Sequence, residues 1–455
     1  MTSTHFIGIG GTGLSAIARV LLERGEHVTG SDREESPLAV ALREAGVHVA
    51  IGHAAANVNG ATRVVRSSAI PDDNVEVQAA LAKGIPVMKR AEFLGELLAG
   101  QQVIAVAGSH GKTTTTAMLA WLLSRIGQQP GYIIGSVAEN LGSNAAAGAG
   151  KLFVIEADEY DYMFLGLEPS IAVITNVEHD HPDLFPNEED FHQAFREFAD
   201  RLHPDGVLLA CADNPGAAAI QSYAAEQGRG TRSYALHAPA DYQAANLESL
   251  PGSGFAFNML SDGEQIARVE LSVPGEHNAQ NALAALAVIH LLGLPLDAAD
   301  LAEFRGTQRR FELRGEAAGT LVIDDYAHHP TEIRAALAAA RARYPQRRLW
   351  ALWQPHTYSR TNALWPDFAA AFADADQVLV TSVYAAREEP PQGFDMADLV
   401  DSIAHPAAQY ADGLAAAQQI LLRELKPEDV LLVLSAGDAV ELSASLFARL
   451  QEKED

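Results

Sequence analysis

Short apolar runs recur along the chain, and each is followed by a stretch in which apolar residues return at helical spacing. A short run of aliphatic residues is typical of a strand that is buried on both faces of a parallel sheet. In the first hundred residues, the runs predict strands at His5–Ile9, His27–Ser31 and Val64–Ser68, with a helix over Ser15–Arg24. The order strand, helix, strand indicates a parallel α/β unit.

The same alternation continues to the end of the chain and restarts near residues 100 and 308. Further strands are predicted at Val103–Val106, Leu152–Ile155, Ile171–Thr175, Leu321–Asp325, Arg348–Trp353, Gln377–Val383 and Val430–Ser435. Weak alternation over residues 237–266 predicts an antiparallel excursion. Because 455 residues exceed one ordinary core, we expect three domains, at 1–99, 100–307 and 308–455, each an open and mostly parallel α/β unit.

The composition and charge of the chain argue against some kinds of binding partner. The net charge is −27 and the chain has no Lys/Arg run, which argues against nucleic acid and anionic membranes as partners. The single cysteine, Cys211, excludes a disulfide framework and favours a cytoplasmic setting. No apolar run approaches the length of a membrane span, and the N-terminus enters a strand without a signal-like segment.

A glycine turn follows the first predicted strand. Gly8, Gly10 and Gly13 have the G-x-G-x-x-G spacing, and Asp32 ends the next strand at the offset of a ribose contact. This context predicts a Rossmann-like unit that binds a pyrophosphate at a helix N-terminus. Both a nicotinamide dinucleotide and a UDP-linked molecule contain a pyrophosphate, so these residues do not identify the ligand. The alternative is that the glycines are needed only for packing of the turn.

A second glycine turn carries the most specific chemistry. Residues 107–115 read Ala-Gly-Ser-His-Gly-Lys-Thr-Thr-Thr, between a predicted strand and a helix over Thr113–Ile126. Such a loop cradles phosphates with backbone N–H groups, while Lys112 reaches the β/γ-phosphates and Thr113 binds Mg²⁺. The first glycine of the common G-x-x-x-x-G-K-[ST] pattern would stand at Val106, so this loop is two residues shorter.

Three polar groups lie at the ends of neighbouring apolar runs in the central third. Thr113, Glu156 and His181 each follow a predicted parallel strand, and ligands gather beyond the carboxyl ends of such strands. We expect this set to hold divalent cations around a triphosphate, the imidazole indicating a second and less typical site. Taken singly, Glu156 is better explained by a solvated acidic loop and His181 by loop hydrogen bonding, but together after a phosphate loop they favour a metal site.

Two further groups of polar residues point to the rest of a nucleotide site. Asn278 and Asn281 share one face of a predicted helix that runs from residue 275 to 292, where amides can read a base edge. In the C-terminal third, Asp325 and His328 follow one strand, and His356 and Arg360 follow the next along the chain, so we expect them at two adjacent strand ends. Arg309 and Arg310 stand at the proposed hinge, where a cation can reach a γ-phosphate.

In this order the motifs resemble those of the Mur ligases, the ATP-dependent, amide-forming enzymes of peptidoglycan synthesis. The resemblance covers nearly the whole chain and rests on residues 8–13, 108–115, 156–159, 175–181, 277–281, 309–311, 324–332 and 354–361. It implies a Rossmann-like UDP-sugar domain, a central ATPase of P-loop type and a Rossmann-like C-terminal domain for the amino acid. It is strongest for the branch that joins L-alanine to UDP-N-acetylmuramate.

The resemblance also implies roles for individual residues. Those implied for ATP are Gly108, Ser109, His110, Gly111, Lys112, Thr113, Thr114, His277, Asn278, Asn281, Arg310 and Asp325. Those implied for the UDP-sugar are Gly10, Gly11, Thr12, Gly13, Asp32 and Ser68. Two Mg²⁺ ions are expected on Thr113, Glu156 and His181, and L-alanine on His328, His356 and Arg360. Lys112, Arg310 and His328 are expected to act in catalysis, His328 as a base near its usual pKa.

Two departures from the family pattern bear on the branch. Several relatives carry a carbamylated lysine about fifteen residues beyond the metal histidine, where this chain has Arg196, so we expect no carbamate. Tyr160 replaces the serine common in the alanine-adding branch and is similar to the muropeptide-recycling branch, which adds a tripeptide. The motif at residues 354–361 favours alanine. An NAD-dependent oxidoreductase and a P-loop kinase are the rivals from other classes, and we expect a monomer or weak homodimer.

Overall fold

The computed structural model describes residues 2–250 and 254–453, and it contains three sheets, each built from one continuous stretch of the chain. Residues 251–253, inside the predicted antiparallel excursion, and the chain ends 1 and 454–455 lie outside the described residues. We refer to the three stretches as the N-terminal, central and C-terminal units. No helix among the described residues is long and apolar enough to cross a membrane.

The N-terminal unit is a parallel sheet of five strands in the order β3-β2-β1-β4-β5. Strand order reverses between β1 and β4, which is where ligands bind in sheets of this type. The glycine turn follows β1 and therefore lies at this switch point. The elements are β1 Ser3–Ile7, α1 Thr12–Glu23, β2 His27–Asp32, α2 Pro37–Glu44, β3 His48–Ile51, β4 Arg63–Arg66, α3 Val75–Ala82, β5 Val87–Lys89 and α4 Arg90–Leu97.

The central unit is a ten-stranded sheet in the order β15-β14-β13-β12-β11-β10-β6-β9-β7-β8. Strand β6 lies between β10 and β9, so the loops that follow these three strands open on one edge. The elements are β6 Gln102–Ala107, α5 Lys112–Arg125, β7 Gly131–Ala138, β8 Ser143–Ala146, β9 Leu152–Glu156, β10 Ile171–Ile174, α6 Glu188–Asp200, β11 Val207–Cys211, α7 Pro215–Glu226, β12 Gly230–Ala235, β13 Tyr242–Ser249, β14 Phe255–Ser261, β15 Glu264–Leu271 and α8 Glu276–Leu291, with 3₁₀ helices at Tyr160–Gly166 and Ala298–Glu303. The antiparallel pairing of β13, β14 and β15 confirms the predicted excursion.

The C-terminal unit is a six-stranded sheet in the order β16-β17-β21-β18-β19-β20, with only β16 antiparallel. The elements are β16 Glu312–Ala317, β17 Thr320–Asp325, α9 Pro330–Arg343, β18 Arg348–Trp353, α10 Tyr358–Ala363, α11 Trp365–Ala369, β19 Gln377–Val380, α12 Met396–Ser402, β20 Ala408–Tyr410, α13 Gly413–Glu424, β21 Asp429–Leu434 and α14 Ala439–Gln451. The predicted adjacency of the strands that end at Asp325 and Trp353 is wrong. The last strand, β21, pairs with both and separates them.

The N-terminal and central units have an apolar core in common, whereas the C-terminal unit has cores of its own. One continuous core runs from the helices of the N-terminal unit through the central sheet, because α1 packs on β7 and β8 and α4 packs on the 3₁₀ helix at Tyr160–Gly166. The C-terminal unit has two apolar cores of its own, one on each face of its sheet. It therefore meets the central unit through a different kind of surface, which contains the candidate site.

Candidate active site

The phosphate loop joins β6 to α5 in a conformation that requires two glycines. Gly108 and Gly111 have φ values of 136° and 79°, which side chains rarely adopt. A Cβ on Gly108 would overlap the Thr175 hydroxyl, and one on Gly111 would lie 2.5 Å from Asn281 Oδ1. The loop is also braced from the side, because His110 N donates to Asn176 Oδ1 at 2.8 Å. The short loop is thus a complete, packed turn.

Lys112 lies inside this loop and is nearly buried. Its Nζ donates to Gly108 O at 2.5 Å and forms an ion pair with Glu159 at 2.9 Å. Burial opposes the charge, but the carboxylates of Glu159, Asp158 and Glu156 outweigh it and raise the pKa of Lys112. The lysine is therefore a cation held at the phosphate loop. Its partner Glu159, fully buried, had no role in the sequence prediction.

Thr113 and Glu156 meet directly at the edge of the central sheet. Thr113 Oγ1 donates to Glu156 Oε1 at 3.0 Å, and the other carboxylate oxygen accepts from Gly135 N at 2.6 Å. Burial raises the pKa of Glu156 despite the nearby Lys112, so this carboxylate lacks full compensation for its charge. A hydroxyl and a buried carboxylate are donors that suit Mg²⁺, and the pair fits such an ion.

His181 follows β10 on the same edge but contacts a different carboxylate. Its Nε2 lies 3.7 Å from Glu159 Oε1, and its ring packs against Tyr160 with centroids 5.0 Å apart. The backbone of His181 has φ 55°, an uncommon conformation for a residue with a side chain. The three predicted metal ligands are thus gathered on one edge, with Glu159 between Lys112 and His181.

A cavity of about 260 Å³ opens beside the phosphate loop, between the central and C-terminal units. It is lined by nine of the residues predicted for ATP, namely His110, Gly111, Thr113, Thr114, His277, Asn278, Asn281, Arg310 and Asp325. Within it, Asn281 Nδ2 donates to Asn278 Oδ1 at 3.2 Å, and Asn278 Nδ2 donates to Pro274 O at 2.6 Å. Burial lowers the pKa of His277 to about 4, so this ring is neutral at pH 7.

The linker between the two units is held by Asp325. Its carboxylate oxygens accept from Phe311 N and Ala327 N, both at 2.8 Å, and burial raises its pKa to about 6. Arg310 points to the cavity and donates to Glu332 Oε1 at 3.2 Å. Arg309 turns the other way and donates to Ser435 O at 2.8 Å. The two neighbouring arginines therefore make different contacts: Arg310 faces the cavity, and Arg309 attaches the linker to the end of β21 by a hydrogen bond.

The three residues predicted for the amino acid lie together on the C-terminal unit. The rings of His328 and His356 are 5.9 Å apart, and Arg360 Nη1 lies 3.0 Å from His356 Nδ1. The buried Arg360 also donates through Nε to Asp180 Oδ1 of the central unit at 2.7 Å. The prediction that His328 has a pKa near its usual value is wrong, since burial lowers that pKa to about 3. His328 Nδ1 lies 2.9 Å from the Tyr326 carbonyl, which favours the tautomer with a free Nε2 acceptor.

Three family models match most of the chain. Residues 3–102 match the Mur ligase family catalytic domain, residues 106–289 match the Mur ligase middle domain, and residues 309–437 match the Mur ligase glutamate ligase domain. The chain belongs to the Mur ligase family. The resemblance and the three-unit α/β fold predicted from the motifs are confirmed.

Several relatives of this Mur ligase cover its full length. The UDP-N-acetylmuramate–L-alanine ligase of Frankia casuarinae is 43% identical and aligns over 98% of this chain and 97% of its own. That of Roseiflexus castenholzii is 42% identical over 99% and 98%. Among solved structures, the UDP-N-acetylmuramate-alanine ligase of Thermotoga maritima has TM-score 0.84 and 28% identity over 100% of both chains. A murein peptide ligase of Psychrobacter arcticus has TM-score 0.72 and 28% identity over 99% of both.

The glycine turn of the N-terminal unit is organised by Asp32. Its Oδ2 accepts from Gly10 N at 2.8 Å, and a Cβ on Gly10 would lie 2.9 Å from the same oxygen. Arg90, absent from the prediction, lies over Gly13 at the N-terminus of α1 and donates to Asp158 at 3.3 Å. Ser68 is exposed just after β4, whereas its neighbour Ser67 contacts the turn at Gly8. Gly11 and Thr12 complete the turn into α1.

Besides Arg90, the sequence analysis gave no role to four residues that make contacts in the site: Asp180, Glu159, Glu332 and Asn176. Each of these four lies inside one of the motifs on which the resemblance rests, so membership of a motif was the only signal available for it. Their partners come from loops or units distant in the chain, which sequence spacing does not reveal. Arg196, the departure on α6, forms an ion pair with Glu189 on the surface of the same helix.

Proposed function

We propose that this Mur ligase joins L-alanine to the lactyl carboxylate of UDP-N-acetylmuramate at the expense of ATP. The observation that carries the proposal is the cavity beside the phosphate loop, where His110 and Thr113 face Arg310 and Glu332 of the C-terminal unit. Full-length relatives that carry this activity in their names support it. The proposed division is residues 1–99 for the UDP-sugar, 100–307 for ATP and 308–455 for alanine, with the site residues in the roles predicted above.

The proposed reaction has two steps. A lactyl carboxylate oxygen attacks the γ-phosphorus of ATP, the bond to the bridging oxygen breaks, and ADP leaves. The alanine amine then attacks the acyl carbon, loses a proton, and the resulting tetrahedral intermediate expels phosphate. Charge on the transferring phosphoryl group is neutralised by Lys112, Arg310 and the N-terminus of α5. Such electrostatic stabilisation accounts for most of the catalysis of phosphoryl transfer.

Mg²⁺ would be held by Thr113 and Glu156, with His181 at a second ion, and would supply charge neutralisation for the phosphates. A count of two ions is part of the proposal. Closure of the C-terminal unit excludes water, which would otherwise hydrolyse the acyl phosphate.

The proton of the amine needs an acceptor, and His328 remains our candidate in a modified form. Because its pKa is lowered to about 3, the ring stays neutral at physiological pH and presents Nε2 as an acceptor. A base of this pKa is weak, so its main contribution is to orient the amine, while the departing phosphate takes the proton.

Addition of a tripeptide is the alternative, and Tyr160 is the observation that favours it. Its hydroxyl is held between Asp183 at 3.1 Å and Arg387 at 3.2 Å, near His181. One assay decides: phosphate release with UDP-N-acetylmuramate and L-alanine, glycine, L-serine or tripeptide in turn. Release with alanine at the lowest concentration supports the proposal, and release with the tripeptide alone refutes it. Incubation with NAD tests the alternative of an oxidoreductase, and the absence of a change in nicotinamide absorbance would argue against it. A cytoplasmic location and a monomer or weak homodimer remain predictions.

A further inference from the structure

His110, the third residue of the phosphate loop, lies between two carboxylates that belong to different units. Its Nε2 is 3.4 Å from Glu178 Oε2 of the central unit, and its Nδ1 is 3.5 Å from Glu332 Oε1 of α9. The ring also packs on His329, with centroids 4.5 Å apart. Burial disfavours the imidazolium, but the two carboxylates outweigh it and raise the pKa of His110 to about 9. A cation of the phosphate loop is thus clamped by the C-terminal unit.

Glu332 divides its two oxygens between the two ends of the site. Oε1 faces the nucleotide cavity, where it accepts from Arg310 Nη1 at 3.2 Å and pairs with His110. Oε2 faces the amino-acid end, where it accepts from His328 N at 3.1 Å and lies 3.3 Å from His328 Nδ1. The carboxylate is 9% exposed. One rigid, buried group therefore fixes the distance between Arg310 and the loop that carries His328.

A hydrogen bond beside the pair closes the same junction. Thr331 Oγ1 of α9 donates to Glu178 Oε2 at 2.7 Å, so Glu178 receives contacts from both His110 and α9. The groups that face His110 are hence Glu178 on the central unit, Glu332 on α9 and His329 just before α9, with Arg310 behind Glu332. A displacement of the phosphate loop relative to α9 would break all of these contacts together.

We propose that His110 and Glu332 are a positioning pair, which ties the phosphate loop to α9 and thereby sets the position of His328 for the amino acid. The proposal rests on the function proposed above. Both residues are then expected to affect alanine binding, although neither side chain needs to touch alanine. The nucleotide end and the amino-acid end are then assembled in one step of domain docking rather than separately.

The distinguishing experiment is the effect of His110→Gln on alanine. We expect the KM for alanine at saturating ATP to rise about tenfold, within the range of typical coupling between sites. Glu332→Gln should raise it at least as much, and the double variant should be no worse than Glu332→Gln alone, because both remove one contact. His192→Gln and Glu316→Gln, which alter ion pairs on α6 and β16 away from the site, are the matched controls and should leave all constants unchanged.

A second measurement does not depend on activity. Both His328 N and His329 N donate to Glu332 Oε2, so hydrogen exchange at residues 328–329 should accelerate in His110→Gln if the pair positions this loop. Melting temperatures of all variants separate this local effect from global unfolding. An unchanged alanine KM with a raised ATP KM, multiplicative effects in the double variant, or unchanged exchange in His110→Gln would each overturn the proposal. Failure of the wild type to release phosphate with alanine would instead refute the proposed function, and the exchange measurement would still decide the pair.

Discussion

The central unit has two neighbours and meets them through opposite kinds of surface. Toward the N-terminal unit, one apolar core continues across the boundary, and backbones approach closely where Gly166 packs on Ala91. Toward the C-terminal unit, the contacts are charged and polar: Arg360 with Asp180, His110 with Glu332, and Thr331 with Glu178. A continuous core makes two units move as one, whereas charged contacts can exchange with ligand phosphates and carboxylates. We therefore expect that any movement between the units occurs at the polar boundary with the C-terminal unit.

The largest expected effect is that of removing the lysine of the phosphate loop, near the polar boundary. Lys112→Ala should lower the rate of ADP formation by about 10³-fold, because a cation at the transferring phosphate is lost. UDP-sugar binding should be nearly unchanged, since the glycine turn at Gly10 lies in the N-terminal unit across the apolar boundary. Stopped-time ADP assays and calorimetric titration measure the two quantities. Full turnover in the variant would contradict the assignment, and Lys151→Ala, an exposed lysine, is the control.

The next effect tests the strongest contact across the polar boundary. Asp180→Asn leaves the buried Arg360 without its counter-charge, and breaking such a pair costs about 3–5 kcal/mol. We expect the C-terminal unit to melt at a lower temperature than the other two, and the KM for alanine to rise.

Asp262→Asn provides the comparison, because its pair with Arg232 is exposed and worth under about 1 kcal/mol. Calorimetric traces record both variants. A single unshifted transition in Asp180→Asn would show that the polar boundary does not depend on this pair.

A third variant acts on the apolar boundary. A Cβ on Gly166 would overlap the Ala91 carbonyl, so Gly166→Ala should destabilise the joined N-terminal and central units by about 1–3 kcal/mol. Gly95→Ala, on α4 across the same contact, should change stability far less, since its nearest atom is 3.3 Å away and alanine favours the helix. Denaturant unfolding measures the difference. Equal effects of the two variants would argue against tight packing at this boundary.

The smallest effect is a pH dependence confined to the polar boundary. Burial lowers the pKa of His277, His328 and His329 to about 4, 3 and 4, below the value of about 6.5 in an unfolded chain. Between these values the unfolded chain binds more protons, so the stabilisation is present above pH 6.5 and is lost as the pH falls toward 4.

The charge on His110 acts in the opposite direction. Its pKa is raised to about 9, so its contribution is present below pH 6.5 and is lost as the pH rises through 9. Docking of the C-terminal unit should hence be firmest near neutrality, as hydrogen exchange in α9 would report. A monotonic dependence from pH 5 to 9 would contradict this pair of opposed contributions.

Local features were predictable from the sequence because their causes are local. The strands at Arg348–Trp353 and Leu152–Glu156 follow from apolar runs, and the phosphate loop from glycines that its backbone requires. The strand predicted to reach Val383 ends at Val380, where the apolar run gives way to the polar pair Thr381 and Ser382. The gathering of Thr113, Glu156 and His181 was also predictable, because parallel strands place their carboxyl ends on one edge.

The sequence alone predicted three α/β units, two glycine turns and the residues that we propose for the nucleotide. The packing of distant segments was needed to show that β21 separates the two C-terminal strand ends, that Asp180 pairs with Arg360, and that Glu332 contacts both Arg310 and His328. It also decided that His328 is held far from its usual pKa. The physical reason is the same in each case: pairing, burial and counter-charges come from segments distant in the chain, and spacing along a sequence carries no record of which distant segments meet.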